Sequence, residues 1–162
     1  MQKLINHTCT LEDNWSFVES IESTVPAGNV IIPGSFWLEN KESLSNREDI
    51  GIWLDSDAEP ELFIQEIKSL PLVAINFPAF ANGRGYSLAR LVKERSEFKG
   101  ELRAIGDVLI DQIYFMKRCG FDSFLLKDGL SAEKALEYLA TFSDPYQLAF
   151  DQPTPLFRRK AD

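Results

Sequence analysis

The residues best equipped for chemistry lie together in NFPAFANGRGYSLAR, residues 76–90. Gly83 and Gly85 flank Arg84 and would let the backbone approach a ligand closely. A helix opening at Ser87 would aim its unbonded amides and the positive end of its dipole at that ligand, which favours an anion. Asn82, Tyr86 and Ser87 add hydrogen-bonding groups, and Arg84 and Arg90 add charge. Small-anion binding is the chemistry this pattern suits. It is not a dinucleotide fingerprint, because Leu88 stands where the third glycine would be, and not a Walker A loop, because no Gly-Lys-Ser/Thr follows. The same residues also suit a tight turn in which Arg84 pairs with a surface carboxylate.

A second stretch, KGELRAIGDVLIDQ at residues 99–112, would support the first. Read as a strand, it puts Glu101, Arg103 and Ile105 on one face, so Arg103 stands on a covered sheet and needs a charged partner or a ligand. After Gly106, Asp107 and Asp111 lie one helical turn apart. They could hold Arg103 or Arg84, cap a helix, or take a hard cation, although too few oxygen ligands are assured for a metal site. Cys119 follows two cations near a helix end and reads as a packed thiol. His7 has no serine or cysteine nucleophile marked nearby to complete a triad. The aromatic residues Phe77, Phe80, Tyr86, Tyr114 and Phe115 read as core and loop anchors.

Composition narrows the class. At 162 residues, 44% hydrophobic and 26% charged, the chain suits one globular domain, with no apolar run of the ~18 residues a membrane span requires. Two cysteines and one histidine are too few for a disulfide scaffold, a zinc site of four such ligands or a cysteine-ligated cluster. No cofactor motif is present, so any electrons are expected to come from a partner. The opening residues lack the apolar core of a secretory signal, which points to the cytoplasm. A net charge of −8 disfavours nucleic acid and anionic membrane as partners. The excess is one-sided: residues 1–70 hold 13 acidic and 4 basic residues, whereas 71–162 hold 12 and 13. Residues 82–103 form a local positive island with six basic against three acidic side chains, which agrees with an anion site there.

The elements that would position these residues alternate strand with helix, the pattern of a predominantly parallel sheet. Five strands are expected, at residues 29–33, 50–55, 72–77, 101–106 and 121–127, most of them near-continuously apolar as in sheets covered on both faces. Between them Ser87, Asp107 and Ser131 are expected to cap helices, with Gly100, Gly120 and the Asp144-Pro145 turn ending them. A shorter helix is expected from Glu59-Pro60 to Leu70. Residues 1–28 are less regular, with a short strand near 3–8 and a helix after Asp13, and residues 151–162 read as an extended tail. The expected fold is one α/β domain with an open sheet, helices on both faces and ligands at the carboxyl ends of the strands. A partial β/α barrel is the alternative, since a closed one normally takes ~250 residues.

At larger scale, FPAFANGRGYSLARLVKER followed by FKGELRAIGDVLIDQIYFMKRCGFDSF closely resembles the central signature of the bacterial DUF934 family. The resemblance extends to Asp13-x-Trp15, to GIWLDSDAEPE and to the closing YQLAFDQPTPLFRRK. That family is usually labelled a probable oxidoreductase involved in sulfite reduction. The resemblance therefore implies an accessory protein of assimilatory sulfite or sulfate reduction. It would bind sulfite, sulfate or a phosphorylated sulfur metabolite where residues 82–90 meet the 106–107 turn, and work with a sulfite reductase component. Asn82 stands where the family commonly has aspartate and Ile110 where it commonly has arginine, which weakens a proton-transfer role at the first position and a ligand charge at the second. Two other readings stay open: a non-catalytic docking partner using the acidic N-terminal part or the FRRK tail, and a phosphate-metabolite enzyme unrelated to sulfur.

Overall fold

The computed structural model describes residues 1–78 and 83–141. Asn82, Phe80, the Asp144-Pro145 turn and the expected tail at 151–162 lie outside them. In chain order the elements are β1 (Leu4–Ile5), β2 (Thr10–Leu11), β3 (Ser16–Phe17), β4 (Val30–Pro33), α1 (Gly34–Glu39), α2 (Lys41–Leu44), β5 (Ile50–Asp55) and α3 (Pro60–Phe63). A 3-10 turn (Ile67–Ser69) leads to β6 (Leu72–Phe77), α4 (Arg84–Arg95), β7 (Glu101–Gly106), α5 (Ile110–Cys119), β8 (Ser123–Leu125) and α6 (Ala132–Ala140). The runs of β5, β6 and β7 match the sequence expectation residue for residue.

One sheet holds the eight strands of the described residues in the order β2-β1-β8-β7-β6-β5-β4-β3. From β3 to β8 each strand lies parallel beside its predecessor, while β1 is antiparallel to both β2 and β8. This monotonic order corrects the expectation of helices on both faces. Parallel crossovers are right-handed, so a sheet that never reverses its strand order sends every helix to the same side. The burial pattern agrees. Ile32, Ile52, Ile75 and Ala104 pack with Leu88, Val92, Ile113, Met116 and Ala135 of the helices in one core. The alternate strand residues Ile31, Leu72, Ala74 and Ile105 form a separate, smaller cluster with Trp15, Trp53 and Leu125 on the other face. Each fully buried aliphatic side chain contributes about 1.5–3 kcal/mol, so the helical face carries most of the stability.

The sheet is open and curled into a half-barrel, and the chain length across it shows why. Seven strand-to-strand steps would separate β2 from β3 by about 34 Å in a flat sheet. The chain covers that gap between Leu11 and Ser16, a reach of at most about 18 Å. Only a curled sheet brings its edges that close. Residues 12–15 thereby form a strap across the concave face, where a helix after Asp13 was expected. Trp15 of the strap packs on the smaller apolar cluster. Asp13 Oδ1 accepts a hydrogen bond from the strap's own Trp15 amide at 3.1 Å.

Local signals fared unevenly. Ser131 caps α6, its hydroxyl accepting from the Lys134 amide, and Gly120 ends α5 in the left-handed region at φ 113°. Ser87 and Asp107 do not cap: Gly83 stands at the cap of α4 and Leu109 at that of α5, so Ser87 lies inside its helix. Gly100 does not stop α4, which ends at Arg95, five residues earlier. Ser96 Oγ turns back onto the Val92 carbonyl and closes the last turn itself. The expected helix from Pro60 to Leu70 is broken into α3 and the 3-10 turn.

Candidate functional site

At the carboxyl edge of the sheet, Phe77 is the register partner of Gly106, and the Asp107 amide donates to the Phe77 carbonyl at 2.8 Å. Gly106 has φ +89°, and a Cβ there would collide with Asn76 Oδ1 and the Phe77 carbonyl, so glycine is required for both reasons. Asp107 is held by Lys127 of the neighbouring β8 turn, Nζ to Oδ1 2.6 Å. Its carboxylate is thus occupied by a cation of this chain.

The first turn of α4 stands beside that edge through Phe77. A Cβ on Gly85 would lie 2.5 Å from Phe77 Cε1 and 2.7 Å from Cζ, so the close approach that Gly85 permits is to a buried ring. Tyr86 packs between Phe77 and Phe115, with ring centroids 5.3 and 4.9 Å away. Burial raises its phenol pKa above the ordinary value, with Cys119 and Asp111 adding to the shift. Gly83, Arg84 and Ser87 are exposed. No acidic residue stands in this first turn, so the turn itself offers no carboxylate to the positive end of the helix dipole.

The remaining residues of the expected anion site are placed elsewhere. Arg90 Nη2 pairs with Glu94 Oε1 at 3.0 Å one turn along the same helix. Asp111 is exposed in the first turn of α5, and its backbone carbonyl accepts from the Tyr138 hydroxyl at 3.3 Å. Arg103 is only 2% exposed and lies on the concave face, across the sheet from α4. Asp13 Oδ1 and Glu101 Oε1 each hold its guanidinium at 2.9 Å. Glu101 in turn accepts from the Ser123 hydroxyl. Arg103 therefore has the charged partners its burial demands, but they are Asp13 and Glu101 rather than Asp107 or Asp111. Among the described residues no group of three or more His, Cys, Asp and Glu is gathered to hold a metal ion. No helix among them is long and apolar enough to cross a membrane.

Sequence reasoning missed a cleft of about 560 Å³ on the concave face, at the carboxyl end of the strands. The Phe17 and Trp53 rings wall it, 5.6 Å apart at their centroids, over a floor of Ile105 and Leu125. Asn76 and Gly106 line its sheet side, and Gln2 and Glu19 its rim. Trp53 Nε1 donates to the Val18 carbonyl at 3.0 Å, which fixes the indole in place. The signal that could have revealed it is the alternation Trp53, Asp55 on β5 against Ile52, Leu54, since a side chain pattern of period two gives each strand a second face.

A curled, singly wound β/α sheet with polar turns and a cleft at its carboxyl edge defines an open half-barrel class of α/β protein. The chain belongs to the family described as a bacterial protein of unknown function (DUF934), whose family model matches residues 51–157, about two thirds of its length. That stretch begins in β5, so the strap and β1 to β4 precede it. No curated protein and no solved structure matches the chain.

Proposed function

We propose that the chain is a cytoplasmic accessory protein of assimilatory sulfite reduction that holds a small oxyanion at the first turn of α4, while a reductase partner supplies the electrons. The observation that carries this reading is the helix start itself. Residues 83–87 open a twelve-residue helix with no acidic side chain in the first turn, with Arg84 and Ser87 exposed, at the edge where parallel sheets bind ligands. The turn at Gly106 and Asp107 adjoins it through Phe77. The sulfur assignment rests on the resemblance of the GRGYS and GELRA segments to their family.

Calorimetric titration with sulfite, sulfate and phosphate at low salt tests it. Arg84→Ala removes a charge-assisted contact of about 1.5–3 kcal/mol and is expected to weaken binding roughly 10- to 150-fold with little change in stability. Lys68→Ala, exposed in the 3-10 turn near the amino end of β6, is the remote-charge control. Absence of binding by every oxyanion would pass the case to docking on a reductase, a role the acidic surplus of residues 1–70 would suit.

A further inference from the structure

The cleft on the concave face is a site separate from the α4 helix start, on the other side of the sheet, and its chemistry differs. We propose that it binds a planar nitrogen heterocycle or amidine, neutral or cationic, stacked on the open face of the Trp53–Phe17 pair and donating an N–H to Asn76 Oδ1.

Three features converge on that class. First, the walls are aromatic and available: Phe17 is 47% exposed, and the Trp53 indole has its own N–H committed to Val18, which leaves ring surface for stacking. Second, Asn76 is oriented as an acceptor. Its Nδ2 donates to Asp55 Oδ1 at 3.0 Å, which turns the carbonyl Oδ1 toward Gly106, where the missing side chain leaves it room, and among the described residues no donor is bonded to it. Third, the charge is of one sign. Glu19 stands on the rim and Asp55 lies behind Asn76, while no lysine or arginine lines the cleft among the described residues. Carboxylates beside aromatic faces favour a planar cation or a donor-rich ring and repel an anion. The cleft also has the size and the mixture of apolar walls and few polar groups usual for small-molecule sites.

Benzamidine and benzoate, matched in shape and opposite in charge and hydrogen-bonding sense, serve as probes with the full chain, read by tryptophan fluorescence. Benzamidine is expected to quench saturably and benzoate not. Asn76→Leu and, independently, Phe17→Ala are each expected to weaken benzamidine at least tenfold, and circular dichroism would verify that each variant keeps its fold. Arg84→Ala is expected to leave benzamidine binding unchanged. The proposal is overturned if no saturable quenching occurs, if benzoate binds as well as benzamidine, if both cleft variants bind as the parent does, or if Arg84→Ala abolishes the quenching.

Discussion

Arg103 shows how a residue can advertise function and turn out to hold the fold. A guanidinium with 2% exposure would be very costly alone, and the structure surrounds it with the carboxylates of Asp13 and Glu101. The need for a partner could be read from the strand alternation. Its identity could not, because Asp13 lies 90 residues away in a strap that has no local structural signal. Asp13→Ala is expected to cost about 1–3 kcal/mol in urea unfolding, nearer the lower end because Asp13 is itself a third exposed and Glu101 remains. A loss under about 0.5 kcal/mol would mean that Glu101 alone neutralises the arginine. Tyr86 offers a pH test. Its phenol keeps its proton to higher pH in the folded chain than in the unfolded one. The stability this brings is whole below the unfolded value of about 10 and is lost as pH rises through the raised folded value. Tyr86→Phe should flatten that alkaline decline in melting temperature, and a decline identical to the parent's would refute the assignment.

At the scale of elements, legibility followed burial. The bounds of β5, β6 and β7 were readable because strands covered on both faces are apolar throughout. Helix starts were less so, since Ser87 and Asp107 are as natural in a polar turn as in a cap. What sets the start of α4 is packing: Gly85 must sit against Phe77, which fixes the helix one turn earlier than Ser87 would. Substitutions should separate the two kinds of signal. Ser131→Ala removes a real cap and is expected to lower stability by about 0.5–2 kcal/mol, whereas Ser87→Ala, on an exposed helix position, should stay within about 0.5 kcal/mol of the parent. Equal losses would show that Ser87 has a tertiary partner. Gly85→Ala should cost about 1–3 kcal/mol through overpacking, because the Phe77 ring is 3% exposed and is pinned by Tyr86 and Phe121.

Over the whole molecule, the two faces of the sheet do different work. The helical face holds the larger core, and the concave face is divided between the strap toward the amino ends of the strands and the cleft toward their carboxyl ends. Alternation of helix and strand made the parallel sheet legible, but the sidedness of the helices depends on strand order, which no local pattern encodes. The strap is then what completes the concave face, anchored at two points: Asp13 on Arg103 and Trp15 on the Ile31, Leu72 and Ala74 cluster. Replacing both anchors, Asp13→Ala with Trp15→Ala, should release it while leaving the helical core intact. The two sites are neighbours and share the strap, so their effects should couple rather than add, with a combined loss of about 2–4 kcal/mol. Unfolding should remain cooperative, because the core that carries most of the burial is untouched. Acrylamide quenching of the tryptophans and binding of a hydrophobic dye should both rise as Trp53 and the apolar cluster meet solvent. If the double variant melts with the parent and binds no more dye, the strap is a passive connection and another part of the chain covers the concave face.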